Sequence, residues 1–283
     1  MNTVTELQLG DAFCAYLTRR HYENFLVSSF LAPPAVRPHL RRIYAYCRLT
    51  DDLGDESGAP AARRLALWRE DLERCFGGDT PPLHPALAAL AETIRACRLP
   101  REPFVDLIAA NLQDQRVTEY HTWEELRGYC RLSAAPVGRL VLRVSGIASP
   151  PLDALSDDVC IGLQLANFAQ DVGVDREKGR CYLLQPELAE RGVAGAVAAL
   201  CARAADLLAS GRRLEAAVDG RLRLQLALYR LGGEAILRAI AAGDYHTDQR
   251  RPHVSLPVKL RLLATARRQT LGRSSHADDL RTA

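Results

Sequence analysis

The fold is decided by Tyr44-Ala-Tyr-Cys-Arg48-Leu-Thr-Asp51-Asp52-Leu-Gly-Asp55-Glu56. On a helix, four polar side chains of this stretch fall within about 60° of one another, with Asp52 just beside them: Tyr44, Arg48, Asp51 and Asp55. The opposite faces are apolar and favour burial. Like charges one turn apart destabilise a helix, so a positive partner is expected to offset the repulsion. Taken alone, the pattern also fits a solvated acidic helix end.

A second polar stripe changes that balance. The chain reads Gln164-Leu-Ala-Asn167-Phe-Ala-Gln170-Asp171-Val-Gly-Val-Asp175. On one continuous helix, Gln164, Asn167, Asp171 and Asp175 share a face about 80° wide, and the residues around that face are apolar. Amides and carboxylates on a buried helix are costly unless they are hydrogen-bonded or coordinate a cation. Two such stripes in one chain therefore favour a functional site over a solvated surface.

Both stripes offer the hard oxygen ligands that Mg²⁺ prefers, and Mg²⁺ completes its shell with water and phosphate oxygens. The sequence predicts metal ligands at Asp51, Asp52, Asp55, Asn167, Asp171 and Asp175. Ions bound there would neutralise a diphosphate leaving group, so that an allylic carbon–oxygen bond ionises without a protein nucleophile. Apolar residues around the stripes would exclude water and hold a hydrocarbon tail.

The chain as a whole reads as all-α. Proline and glycine divide it into helical segments, and no alternating stretch of strand length competes with them. The predicted helices cover 8–20, 35–53, 60–76, 82–97, 101–117, 122–132, 136–146, 152–175, 194–217, 219–241 and 255–268. We expect one domain over residues 1–270, a central pocket between antiparallel helices that carry the stripes, and a disordered tail over 271–283.

Composition excludes several functional classes. The formal net charge of +3 is too small for a nucleic-acid binder, and the chain carries neither a dinucleotide fingerprint nor a Walker pattern. Eight evenly spread cysteines favour reduced thiols in a cytoplasmic protein. The longest apolar stretch, Gly192 to Ala202, is about half of a membrane span. We therefore expect a cytoplasmic protein, with peripheral contact at the inner face of the membrane as an open alternative.

The two stripes resemble the signatures of the squalene/phytoene synthase family, and the likeness runs from about His21 to Lys259. The first signature is matched by Tyr44, Arg48, Asp51, Asp52 and Asp55, and the second by Gln164, Asn167, Asp171, Asp175, Gly179, Arg180, Tyr182 and Leu183. The resemblance implies the single-domain isoprenoid synthase fold.

The resemblance also implies roles for individual residues. Catalysis falls to Tyr129, Asp51, Asp55, Asp171 and Asp175, and substrate binding to His21, Phe25, Tyr44, Arg48, Gln164, Asn167, Arg180, Tyr182 and Arg251. The implied cofactor is Mg²⁺, without NADPH, and the implied substrate is an isoprenoid diphosphate. A lipid product fits peripheral membrane contact, and the implied partners are a presqualene diphosphate synthase and a flavin-dependent reductase.

Departures from the commonest family pattern indicate a branch. Ser133-Ala-Ala-Pro136-Val137-Gly138-Arg139 and Gln170 resemble the bacterial hopanoid branch that makes hydroxysqualene from presqualene diphosphate. Three alternatives stay open: head-to-head condensation of two prenyl diphosphates, chain elongation as in enzymes with a DDxxD motif, and a non-catalytic helical assembly protein derived from this fold. The second acidic stretch does not repeat DDxxD, which counts against chain elongation.

Overall fold

The computed structural model describes residues 3–20, 32–55, 59–77 and 80–271. Within these ranges the chain forms helices, turns, loops and one isolated β-bridge between Tyr120 and Leu184. The all-α prediction is confirmed. In chain order the helices are α1 (Thr3–Arg20), α2 (Arg37–Asp55), α3 (Ala59–Glu73), α4 (Pro85–Cys97), α5 (Glu102–Gln113), α6 (Trp123–Ser133), α7 (Ala135–Val144), α8 (Pro150–Gln170), α9 (Val172–Glu177), α10 (Gln185–Ala209), α11 (Gly211–Ala216), α12 (Gly220–Ala241) and α13 (Leu256–Leu271).

The segment predicted as one helix over 194–217 is divided between α10 and α11 near Ser210, so its predicted end is wrong. Its predicted start agrees with the structure. Gly192, with φ 67° and ψ −178°, is not helical and separates the part of α10 that begins at Gln185 from the part that follows.

The chain divides into two compact units, each built from two segments. Unit one holds residues 1–118 and 128–153, and unit two holds 119–127 and 154–283. The single domain over 1–270 stays a prediction. Of the predicted tail, residues 272–283 lie outside the described residues.

Helix α2 is the central element of unit one, where it contacts α1, α3, α4, α5 and α7. Its buried face is fixed by hydrogen bonds as well as by packing. The Tyr46 hydroxyl donates to the Phe104 carbonyl at 2.7 Å, and Trp68 Nε1 donates to Thr50 Oγ1 at 2.9 Å. Tyr46 also stacks on Trp68, with ring centroids 5.8 Å apart. These contacts set the rotation of α2, so its acidic residues lie away from the core.

Glycine permits the close helix packing of unit two. A Cβ at Gly162 of α8 would come within 3.1 Å of the Ala204 carbonyl oxygen of α10. A Cβ at Gly233 of α12 would lie 2.8 Å from Leu163 Cδ2 and 2.9 Å from Leu208 Cδ1. Helices α8, α10 and α12 therefore approach one another at positions without side chains, which fixes α8 in place.

One buried and one partly exposed ion-pair group join further elements of unit two. Arg230 of α12 is 1% exposed and donates to Glu215 of α11 at 2.5 and 3.0 Å and to Glu234 at 2.8 Å. Arg203 of α10 donates to Glu187 and places its guanidinium carbon 5.7 Å from the centroid of the Trp123 ring. A buried arginine needs such partners, because an unpaired charge in the interior is strongly destabilising.

One helical stretch of the described chain, Gln185–Ala216, is long and apolar enough to cross a membrane by length and composition, with a mean hydropathy of 1.5 over its best 18-residue window. A third of that window is buried inside the protein. Core helices pass the same test, and the kink at Gly192 and the ion pair of Arg203 lie within this stretch. The finding is weak evidence for a membrane span.

Candidate active site

The first acidic group lies on the last turns of α2, in unit one. Arg48 Nη2 pairs with Asp52 Oδ1 at 2.6 Å, so one carboxylate of the stripe already has a positive partner. Asp51 and Asp55 are solvent-accessible, and Tyr44 is half-buried about two turns before Asp51. Burial raises the pKa of the Tyr44 phenol, and the charge of Arg48 acts against that rise. The structure thus brings Tyr44, Arg48 and the three aspartates together on one helix, as the periodicity predicts.

Helix α5 supplies partners that the sequence analysis missed. Asn111 Nδ2 donates to Asp51 Oδ1 at 3.2 Å, and Gln115 Nε2 donates to the Gly54 carbonyl at 2.8 Å. An added Cβ at Gly54 would lie 2.1 Å from Asn111 Oδ1, so this glycine lets Asn111 reach the acidic turn. Asp114 and Gln115 follow Asn111 by three and four positions, just beyond the end of a helix whose buried residues are apolar. That spacing is a signal from which the sequence analysis could have found them.

Asp51 is the carboxyl whose ionisation is most affected by its surroundings. Desolvation raises its pKa to about 6, the hydrogen bond from Asn111 opposes the rise, and the neighbouring charge of Asp55 adds to it. The carboxyl stays in contact with solvent, yet many protein atoms surround it. The cost of a charge at this position would be relieved by a cation.

Tyr129 of α6 is 5% exposed and belongs to unit one. Its hydroxyl donates to Asp114 Oδ2 at 2.7 Å, directly beyond the end of α5. The end of α5 therefore holds both the acidic turn of α2, through Asn111, and the phenol of Tyr129, through Asp114. No catalytic role of Tyr129 follows from this contact alone, and its assignment stays a prediction.

The second acidic group lies in unit two, and its geometry corrects the sequence analysis. The helix predicted over 152–175 ends at Gln170, because Asp171 has φ −105° and ψ 19°. Asp171 therefore interrupts the helix that was predicted to carry all four polar residues, with Gln164 and Asn167 before the break and Asp175 after it. Backbone hydrogen bonds bridge the break, from the Asp171 amide to the Asn167 carbonyl at 2.9 Å and from the Asp175 amide to the Asp171 carbonyl at 2.8 Å.

Residues after the break complete this second group. Gly179 has φ 72° and turns the chain, and the amide of Arg180 returns to the Asp175 carbonyl at 2.9 Å. Tyr182 is 7% exposed and stacks on Phe168, with ring centroids 3.8 Å apart and planes 7° apart. Arg251 donates from Nε and Nη2 to both carboxylate oxygens of Asp171, at 2.5 and 3.2 Å. Of the residues predicted in unit two, Arg251 bonds the Asp171 carboxylate, Asn167 and Asp175 bond Asp171 through the backbone, and Tyr182 packs on Phe168.

Two predictions lie beyond these observations. His21 and Phe25 are outside the described residues. The central pocket would combine the acidic groups of both units, and it stays a prediction.

The donor set fits magnesium. Among the described residues, no three histidine, cysteine, aspartate or glutamate side chains gather into a metal site by themselves. Mg²⁺ does not need such a cage, since it binds through one or two carboxylates and keeps water or takes phosphate oxygens. None of the eight cysteines forms a disulfide, and the described residues offer oxygen ligands at both acidic groups and no cluster of three cysteines. The residues that fit are Asp51, Asp52, Asp55, Asn167, Asp171 and Asp175.

The all-helical architecture and the two carboxylate groups define a protein with the isoprenoid synthase fold. The profile of the squalene/phytoene synthase family matches residues 18–257, and the chain belongs to this family. The crystal structure of squalene synthase HpnC from Alicyclobacillus acidocaldarius is 44% identical, with a TM-score of 0.78, over 86% of this chain and 99% of that one.

Phytoene synthases are also similar. Phytoene synthase 2 of Solanum lycopersicum is 31% identical over 292 residues, which are 93% of this chain and 92% of that enzyme. The 15-cis-phytoene synthase of Synechococcus elongatus is 35% identical over 200 residues, and the match spans 64% of that enzyme's length. The family comprises enzymes of the head-to-head prenyl diphosphate condensation class, so the chain-elongation alternative is excluded.

Proposed function

We propose that this protein ionises presqualene diphosphate with Mg²⁺ and lets water quench the cation to hydroxysqualene, a step of squalene and hopanoid synthesis. The observation that carries the proposal is the 44% identity to HpnC over 86% of the chain, against 31–35% for the phytoene synthases. The segment from Ser133 to Arg139 and Gln170 support the same branch, because they depart from the pattern of enzymes that condense two prenyl diphosphates.

Each group of residues described above has its own proposed role in this reaction. Asp51, Asp52 and Asp55 of α2, with Asn167, Asp171 and Asp175, would hold Mg²⁺, which supplies the positive charge that a departing diphosphate requires. Arg48 would contact the diphosphate directly: its Nε is buried without a hydrogen-bond partner among the described residues, so one donor is available. Tyr182 and Phe168 would exclude water from the cation.

Ser133 is a candidate for holding the quenching water. It follows Tyr129 by four residues on α6, so the two side chains lie on one face of the helix. Its Oγ is buried and has no hydrogen-bond partner among the described residues. A buried hydroxyl of this kind would bind a water molecule. The electron pair of the breaking carbon–oxygen bond leaves with the diphosphate, and the cyclopropylcarbinyl cation rearranges. Water then adds to the rearranged cation and loses a proton to the released diphosphate, which gives hydroxysqualene.

The test feeds farnesyl, geranylgeranyl and presqualene diphosphate separately with Mg²⁺ and without a nicotinamide, and identifies products by gas chromatography and mass spectrometry. Hydroxysqualene from presqualene diphosphate is the expected product. Ser133→Ala should lower the ratio of hydroxysqualene to the hydrocarbon formed by proton loss from the same cation. The expected change is about fivefold, which corresponds to the loss of one hydrogen bond. Ser145→Ala is the matched control, because that hydroxyl lies directly beyond the end of α7 and donates to the Val141 carbonyl one turn earlier. Conversion of farnesyl diphosphate to presqualene diphosphate, with the latter left untouched, would refute the proposed half-reaction.

The second candidate is condensation of two prenyl diphosphates, and the similarity to phytoene synthases favours it. In the same assay this candidate predicts phytoene from geranylgeranyl diphosphate, or presqualene diphosphate from farnesyl diphosphate. A protein that leaves all three substrates unchanged and still folds would support the remaining alternative, a non-catalytic assembly protein.

We also propose a cytoplasmic location with peripheral contact to an anionic membrane through α13. This helix exposes Leu256 (68%) and Leu260 (60%), and its sequence contains basic residues but no acidic one. Lys259, Arg261 and Arg268 are exposed on it. Each basic residue near an anionic membrane contributes about 1 kcal/mol.

The test is cosedimentation with vesicles of phosphatidylglycerol or of phosphatidylcholine. Lys259→Glu with Arg261→Glu should abolish binding to the anionic vesicles, whereas Arg131→Glu on α6 should not. Equal binding to both vesicle types would refute the electrostatic contact. Functional coupling to a presqualene diphosphate synthase and a flavin-dependent reductase is part of the same proposal.

A further inference from the structure

The carboxylate of Asp171 already has a cation. Arg251 donates to both of its oxygens, and both side chains keep partial contact with solvent, 40% for Arg251 and 25% for Asp171. A guanidinium that binds a carboxylate through two parallel hydrogen bonds occupies the positions through which a metal ion would bind. A cation entering at Asp171 must therefore displace Arg251 or share an oxygen with it.

The segment that carries Arg251 is fixed against the break after α8. Gln170 is 7% exposed, and its Nε2 donates to the Pro252 carbonyl at 2.7 Å, one residue beyond Arg251. On the other side of Asp171, a Cβ at Gly173 would come within 3.1 Å of the Asp248 carbonyl oxygen. The glycine therefore permits a close approach of the backbone, and the glutamine provides the hydrogen bond. Both residues flank Asp171 and contact the same segment, 247–252.

We infer that Arg251 is an internal counter-cation for Asp171 that a metal ion replaces, and that Gln170 is the positioning residue that holds Arg251 there. The inference rests on the proposed function in that it needs Asp171 to be a metal ligand. Once displaced, Arg251 keeps its fork of donors, which matches the oxygens of a diphosphate. The same side chain then weakens metal binding before the diphosphate arrives and strengthens diphosphate binding afterwards.

Two opposite effects distinguish this role from a structural one. Without diphosphate, Arg251→Met should bind Mn²⁺ about five- to tenfold more tightly than the parent protein does. Binding is measured from the electron paramagnetic resonance signal of the free ion. With Mn²⁺ saturating, the same variant should bind inorganic pyrophosphate about tenfold more weakly in isothermal titration calorimetry. Gln170→Leu should change both affinities in the same directions by a smaller factor, because Arg251 is still present but no longer held.

The matched control is Arg143→Met. Arg143 also makes two hydrogen bonds to one carboxylate, that of Asp153, at 2.6 and 2.9 Å, and belongs to unit one. Its loss should lower thermal stability and leave both affinities unchanged. If Gln170→Leu fails to fold, as judged by circular dichroism, Gly173→Ala replaces it, since its Cβ would push the segment away from the side of Asp248.

Unchanged or weaker Mn²⁺ binding by Arg251→Met would overturn the inference, and so would equal effects in the control variant. Neither measurement requires turnover. Opposite shifts in the two affinities without any hydroxysqualene would sustain the counter-cation and reject only the proposed reaction. Hydroxysqualene formation without the opposite shifts in the two affinities would reject the counter-cation and sustain the proposed reaction.

Discussion

Gly54→Ala tests the contact between α2 and α5 that places Asn111 beside Asp51. The new Cβ would lie 2.1, 2.8 and 3.0 Å from Oδ1, Cγ and Cβ of Asn111. The last two atoms are not the mobile end of a side chain, so the helices must separate or Asn111 must change its rotamer. Overpacking of this kind costs about 1–3 kcal/mol, and replacing glycine within a helix returns about 1 kcal/mol. We expect a net loss of up to about 2 kcal/mol, which is about 1–3 kcal/mol below a glycine-to-alanine change without overpacking.

The assay is urea denaturation of four proteins that form a double-mutant cycle: the parent, Gly54→Ala, Asn111→Ala and the double variant. Asn111→Ala removes Oδ1 and Cγ, the two atoms closest to the new Cβ, and keeps only the Cβ at 3.0 Å. The double variant should therefore be less destabilised than the sum of the single variants by at least about 1 kcal/mol. Gly128→Ala on α6 is the control, because nothing lies within 4 Å of its added Cβ. That variant should gain up to about 1 kcal/mol from helix propensity alone.

A Gly54→Ala protein as stable as the Gly128→Ala control would refute this reasoning. A coupling energy of zero would do so as well, because it would mean that Asn111 does not lie against Gly54 and does not reach the acidic turn.

Three further predictions concern the aspartates and the metal. Single substitutions of Asp51, Asp55, Asp171 or Asp175 by Asn should lower turnover at least about a hundredfold and retain the helical circular dichroism, since each aspartate would hold metal charge felt chiefly in the transition state. A variant that loses both its activity and its helical signal would contradict the assignment. Because the folded-state pKa of Asp51 is raised to about 6, its ionisation destabilises the metal-free protein as pH rises from about 4 to 6. In EDTA, Asp51→Asn should therefore be more stable than the parent protein over that range, by on the order of 1 kcal/mol after allowing for solvent screening. Urea titrations at several pH values measure this difference. A gain in stability confined to pH below 4 would have the opposite pH dependence and refute the prediction. Turnover should disappear with EDTA, return with Mg²⁺ and proceed without NADPH; full activity in metal-free buffer would refute the mechanism.

The first acidic stripe could be predicted from sequence because it depends on one periodicity within one helix. Tyr44, Arg48 and the aspartates of α2 repeat at three and four residues, and the buried opposite face fixes which side they occupy. The second stripe was predicted as continuous because its spacing is equally regular. The break at Asp171 depends on contacts that no local pattern contains, namely those of the segment 247–252 with Gln170 and Gly173.

In unit one as well, contacts between helices that are distant in sequence determine site residues that the sequence pattern did not predict. The roles of Asn111, Asp114 and Gln115 depend on where α5 ends relative to α2 and α6, which sequence spacing does not determine. Gly54 reads as a flexible position in the sequence, whereas in the structure it makes room for Asn111.

The placement of the two tryptophans gives each unit its own fluorescent reporter. Trp68 is packed in unit one, stacked on Tyr46 and hydrogen-bonded to Thr50, whereas Trp123 lies in unit two beneath the guanidinium of Arg203. With either indole replaced by phenylalanine, the emission that remains follows the melting of one unit alone. Coincident melting curves would mean that the units behave as one cooperative domain, and separate curves would assign an independent stability to each acidic group.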